Sequence, residues 1–128
     1  MTFATATAAF ALSGSLLVVT PSTKVSLTDP GPTPKVGVHW NYSVTARLAG
    51  GKPAAATLTE EIVDPIGGAH PVRFGTSMKN ITNWPFKGTF RDFIIWPASS
   101  RGIPLQLRAV VKVGAKKTVL TVTVTPRK

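Results

Sequence analysis

Residues 105–125 read LQLRAVVKVGAKKTVLTVTVT, two alternating runs on either side of a glycine. Leu105, Leu107, Ala109, Val111 and Val113 point one way and Gln106, Arg108, Val110 and Lys112 the other, a period of two that belongs to a strand with one buried face. Gly114-Ala115-Lys116-Lys117 is read as the turn. Leu120, Val122 and Val124 then face inward against Thr121, Thr123 and Thr125. Two such runs joined by a short glycine-containing link form a β-hairpin with matched faces.

The same period extends upstream. Val25 and Leu27 alternate with Lys24, Ser26 and Thr28 until Asp29-Pro30-Gly31-Pro32 stops the strand. Trp40, Tyr42, Val44, Ala46 and Leu48 alternate with Asn41, Ser43, Thr45 and Arg47, then turn at Ala49-Gly50-Gly51-Lys52-Pro53. Further strands are predicted at Thr57–Val63, His70–Phe74 and Thr89–Trp96. No apolar stripe at helical spacing runs long enough for a convincing helix. Short strands with one oily face each, separated by Gly/Pro turns, must pair that face with another sheet. The prediction is an all-β, antiparallel β-sandwich of about seven strands with Greek-key connections.

The chain has 128 residues, enough for one domain that buries roughly two-thirds of its unfolded surface. Eleven Gly and eleven Pro fit many turns, and 16% charged residues is too few for a coiled coil. Fifteen Lys+Arg against five Asp+Glu give a net charge of +10, which favours an anionic partner. The charge is unevenly spread: residues 1–23 carry none, 24–92 carry eight basic and five acidic, and 93–128 carry seven basic and no acidic residues. There is no cysteine, so neither disulfides nor thiolate chemistry is available.

The Trp40-Asn41-Tyr42-Ser43-Val44 strand, the Gly51-Lys52-Pro53 turn, the Val63-Asp64-Pro65 strand end and the passage from Trp96-Pro97 through Arg101-Gly102-Ile103-Pro104-Leu105 resemble the immunoglobulin-like modules of secreted and surface bacterial proteins. The resemblance covers about Lys24–Arg127. It departs from the antibody type in lacking the inter-sheet cysteine pair and in placing its only tyrosine, Tyr42, early in the chain. It implies an immunoglobulin-like sandwich over residues 24–128; the uncharged residues 1–23 before it are read from their composition as a separate apolar segment.

Groups able to do chemistry are sparse. Glu60 and Glu61 are adjacent on a strand, so they project to opposite faces and cannot act as a paired acid and base. Glu60, in register with Leu58 and Ile62, is expected to point inward and to need a basic partner such as Arg47 or Arg91. His39 and His70 stand alone, so no metal site is expected, and no glycine-rich phosphate cradle appears. The chain reads as a non-enzyme without a cofactor. Asn41-Tyr42-Ser43 and Asn80-Ile81-Thr82 match the N-glycan acceptor pattern.

Three surfaces are candidates for binding. Arg108, Lys112, Lys116, Lys117, Arg127 and Lys128 are placed along the last hairpin, where they either form a positive stripe for an anionic polymer or protect an edge from aggregation. The absence of aromatics from Arg101 to Lys128 argues against sequence-specific nucleic acid. Trp84, Phe86 and Lys87 are read as a loop, either a recognition knob or a cap on the core. The uncharged N-terminal segment, with its apolar stretch Ala8–Val19 and with Phe3, Phe10, Leu12, Leu16, Leu17 and Val18 as candidate assembly residues, is open to three readings: a signal sequence, a retained β segment able to pair with a neighbouring subunit, or a membrane anchor. The expected function is binding or adhesion, extracellular or at a cell surface, with a protein or an anionic surface polymer as partner. The alternatives are a homo-oligomeric structural subunit of a filament or virion, and a polyanion binder.

Overall fold

Alternation puts eight strands into residues 23–128, the part of the chain that the computed structural model describes. They are β1 (Lys24–Thr28), β2 (His39–Arg47), β3 (Ala55–Val63), β4 (Ala69–Pro71), β5 (Trp84–Lys87), β6 (Thr89–Ile95), β7 (Leu105–Val113) and β8 (Lys116–Val124). One sheet runs β1-β2-β6 and the other β4-β3-β7-β8, all neighbours antiparallel. β5 shares with β4 the edge of β3 that faces away from β7, pairing with Ala55–Leu58 where β4 pairs with Glu61–Val63. The chain enters the second sheet at β3, returns to the first at β6 through Gly88 alone and crosses again at β7, so the two sheets of the all-β sandwich are linked three times.

The inward faces meet as one core. Trp40, Tyr42, Val44 and Ala46 of β2 pack toward Leu58 of β3 and Leu107, Ala109 and Val111 of β7. Val44, Leu58, Leu107, Val111 and Val124 are fully buried. Trp40 meets Trp96 edge-on at 5.6 Å and donates its indole N–H to the Gly31 carbonyl at 3.0 Å, which satisfies the polar tip of a buried ring.

The structure changes three expectations. Trp84–Lys87 is not a loop but a strand, β5, with Trp84 and Phe86 turned toward Phe90 at 6.4 and 6.1 Å and Pro85 and Lys87 turned to solvent. Proline is tolerated there because β5 is an edge strand. The expected His70–Phe74 strand is Ala69–Pro71, since beyond it the chain leaves the sheet for an excursion closed by the Arg73–Asn80 bridge. Lys116 and Lys117 are not turn residues: the turn is Gly114-Ala115 alone, Gly114 taking a φ of +58°. A two-residue link matches the strand twist and adds Val113–Lys116 and Lys112–Lys117 to the ladder. The apolar residues Phe3, Phe10, Leu12, Leu16, Leu17 and Val18 lie outside the described residues.

Leu58 is completely enclosed, so Leu58→Ala is expected to cost about 2–5 kcal/mol in denaturant unfolding. Val119→Ala, on the exposed face of β8, is expected to change stability by less than about 0.5 kcal/mol.

Candidate functional site

The alternation fails at Phe93-Ile94-Ile95-Trp96, where the end of β6 is apolar on both faces. Ile94 is half-buried and Ile95 exposed, while Phe93 lays its ring flat on His39 on the outer face, with centroids 4.0 Å apart. Across from this end the second sheet stops early, because β4 is only three residues long. The sandwich therefore gapes. The resulting groove has a volume of about 1060 Å³ and is lined by Ile62, Ile66 and Val72 on one side and Ile94, Ile95 and Ile103 on the other.

Ile66 stands at the rim with 94% of its surface exposed. Its position is held by the turn beneath it: Asp64 Oδ1 accepts the backbone N–H groups of Ile66 (3.0 Å) and Gly68 (2.8 Å), and Oδ2 contacts His70 Nε2 at 2.9 Å. A Cβ at position 68 would lie 2.5 Å from that carboxylate, so a larger residue there would have to displace it. His70 first, then the Gly68 N–H, holds the Asp64 carboxyl below the usual carboxylate range. Among the described residues no backbone group pairs with the β6 edge that faces away from β2; the nearest polar contact is Gly75 N–H donating to both Asp92 carboxylate oxygens at 3.1 and 3.2 Å. The site is thus an apolar cleft beside the end of β6 that lacks a strand partner, where a short extended apolar chain can be taken.

A second feature is inside the core. Glu60 points inward as its register requires, 1% exposed, but its partner is Tyr42 and not Arg47 or Arg91. The Tyr42 hydroxyl donates to Glu60 Oε1, and Oε2 has no partner among the described residues. Arg91 cannot serve because it alternates with Phe90 and Asp92 and so faces outward. Loss of water on burial pushes the Glu60 carboxyl up to about 8; the Tyr42 hydrogen bond opposes this and the nearby Asp92 charge adds to it. Burial, with Glu60 beside it, pushes the Tyr42 hydroxyl far above its ordinary value. Desolvation also raises Asp92, which projects inward from β6 opposite Tyr42. At neutral pH Glu60 is therefore mainly the neutral acid, out of contact with solvent and out of reach of a substrate.

The basic residues do not form one stripe. Arg108 makes an ion pair with Glu61, its cross-strand neighbour on the outer face. Lys112 and Lys117 are directly opposed on that face, whereas Lys116, one residue off in the alternation, projects to the other side. Arg127 sits at the far end of β8, its guanidinium donating to the Thr33 carbonyl, with Lys128 beyond it. The structure brings together Lys112, Lys117 and a charge-paired Arg108, and separates the other three. Trp84 and Phe86 support the core in β5, leaving Lys87 as the solvent-facing member of that trio. Among the described residues no three His, Asp or Glu side chains converge as metal ligands. Asn41 and Asn80 are both exposed.

No family model, curated protein or solved structure matches the chain at a significant level.

The buried acid has a measurable signature. Its folded value, about 8, lies above the ordinary 4.5, so the folded state holds a proton there that the unfolded state releases between these limits. Stability from this group is fully present below about pH 4.5 and falls as pH rises toward 8, by roughly 1.4 kcal/mol per pH unit. Glu60→Gln, neutral at every pH, is expected to flatten that decline and to be the more stable protein at pH 8. Equal slopes for the two proteins in urea unfolding from pH 5 to 8 refute the assignment.

Proposed function

We propose that the chain is a non-catalytic, immunoglobulin-like module, secreted or displayed at an external surface, that binds an extended apolar protein segment in the groove beside β6. The strand order supports the immunoglobulin-like reading: β1-β2-β6 corresponds to A-B-E and β4-β3-β7-β8 to C′-C-F-G. In that scheme a fourth strand, D, lies beside E. Here, among the described residues, no strand pairs at the D position beside β6: Phe74 and Gly75 stand against its middle, and the groove opens at its Phe93–Ile95 end. This unpaired edge next to an apolar cleft is the observation that carries the proposal. Main-chain hydrogen bonds along such an edge supply affinity for any extended chain, and the pockets between the sheets select alternate apolar side chains.

The face of Lys112, Lys117 and Arg108 supports a weaker second reading, since two opposed lysines are relieved by an anion between them. Salt-sensitive retention on heparin that Lys112→Glu with Lys117→Glu abolishes is the mark of that reading.

The groove is tested with a fluorescent peptide of alternating valine and threonine, titrated into the full chain and followed by anisotropy. Ile95→Lys and Ile66→Asp change only exposed side chains and are expected to weaken binding at least ten-fold each, with unfolding midpoints little changed. Binding that ignores both substitutions refutes the proposal.

A further inference from the structure

We infer that the groove takes the free carboxyl-terminal end of an apolar protein chain, its carboxylate paired with Arg73 where Phe74 and Gly75 close the groove. The inference rests on the binding-groove reading above and names its partner.

The first support is the shape of the groove. The wall that carries Ile66, His70 and Val72 runs into the opposite wall at Gly75, whose N–H donates to both Asp92 carboxylate oxygens at 3.1 and 3.2 Å. A Cβ built on Gly75 would stand 3.6 Å from the Phe93 ring, so the chain there lies in contact with β6. Behind it Phe74 stacks on Trp84 at 4.8 Å and meets Phe90 at 6.0 Å, which fills the space between the sheets. The closure is held from its own side as well: Phe74 N–H donates to the Lys79 carbonyl at 2.8 Å, and Ser77 N–H to the Phe74 carbonyl at 2.9 Å. The groove is therefore blind at Gly75 and open at the other end, where Ile66, Ile95 and Ile103 are exposed. An extended chain can end there but cannot pass through. If its carboxyl end enters first, it runs from Ile95 toward Phe93, antiparallel to β6, the sense in which a ladder is the more stable.

The second support is charge. The groove wall carries three titratable side chains, Asp64, His70 and Arg73. Asp64 and His70 are spent on each other and on the turn under Ile66. Arg73 is exposed and enters no ion pair among the described residues. This uncompensated cation stands two residues before the blind end. The anion that an apolar chain can bring to such a place is its terminal carboxylate, which a guanidinium holds through two parallel hydrogen bonds. An amino terminus would meet Arg73 with like charge. The same chemistry points to a different protein as partner. Residues 1–22 run on into β1 and present no free carboxylate, and Pro126-Arg127-Lys128 would bring two cations against Arg73.

The test uses the valine–threonine peptide, ending in valine and labelled at its amino end, titrated into the full chain as free acid and as carboxamide. The free acid is expected to bind at least five-fold more tightly. Arg73→Gln, a change to an exposed side chain, is expected to bring the free acid to the affinity of the amide, with amide binding and the unfolding midpoint unchanged. A free acid extended past the last valine by two glycines is expected to bind at least five-fold more weakly, the blind end having no room for them. Equal binding of acid and amide, discrimination that survives Arg73→Gln, or undiminished binding of the extended peptide overturns the inference. The groove reading stands in each of these cases if Ile95→Lys still weakens binding. Decanoate that displaces the labelled peptide as well as unlabelled peptide does assigns the carboxylate to an acyl chain and overturns the inference too. Binding of every form that is indifferent to Ile95→Lys and Ile66→Asp removes both readings.

Discussion

The pairing of β3 with β7 is the constraint on which the molecule depends. It sets Leu58 opposite Val111 and Ile62 opposite Leu107, so that the inward faces of the two central strands coincide over their length. A slip of one residue would turn Glu61 into the core and Leu58 out to water. The same register forces Glu60 inside with Leu58 and Ile62 on either side, and so accounts for the most costly polar group in the protein. It also leaves Glu61 outside, where Arg108 lies directly across the ladder and forms its ion pair. One geometric choice thus decides which acid is neutralised by a proton and which by a guanidinium.

Alternation was enough to foresee the sandwich because the informative strands are long and half-buried. Trp40 to Ala46 and Leu105 to Val113 repeat the pattern often enough to exclude a helix, and both face the core as read. Trp84–Lys87 was hidden for the opposite reason. It is four residues long and contains Pro85, which reads as a loop unless a neighbouring strand is known to offer an edge. The partner of Glu60 was equally hidden, because nothing local connects it to Tyr42, eighteen positions earlier and in the other sheet. The groove did leave a trace: four successive apolar residues, Phe93 to Trp96, have no place in a strand with one wet face, and Ile66 at the tip of a Pro-Gly turn is misplaced unless something covers it.

The basic residues show how far a charge count carries. The excess of seven on residues 93–128 is real, but β-structure distributes consecutive lysines to opposite faces and the two ends of a nine-residue strand lie about 30 Å apart. Several outer positions of this hairpin carry Lys or Thr, which also suits β8 as the outermost strand of its sheet, since charge there discourages unplanned pairing. β6 has no such protection at its apolar end. These two of the sandwich's edges are therefore unlike in chemistry, one guarded and one inviting.

The burial of Glu60 also makes folding a proton-consuming reaction. Near neutrality the unfolded chain presents a carboxylate at position 60 and the folded chain a carboxylic acid, so each molecule that folds takes about one proton from its surroundings. The heat of unfolding then contains the ionisation heat of whatever buffer receives that proton. Two calorimetric traces in phosphate and in Tris would differ for this reason alone, without any change in the contacts that hold the sheets together.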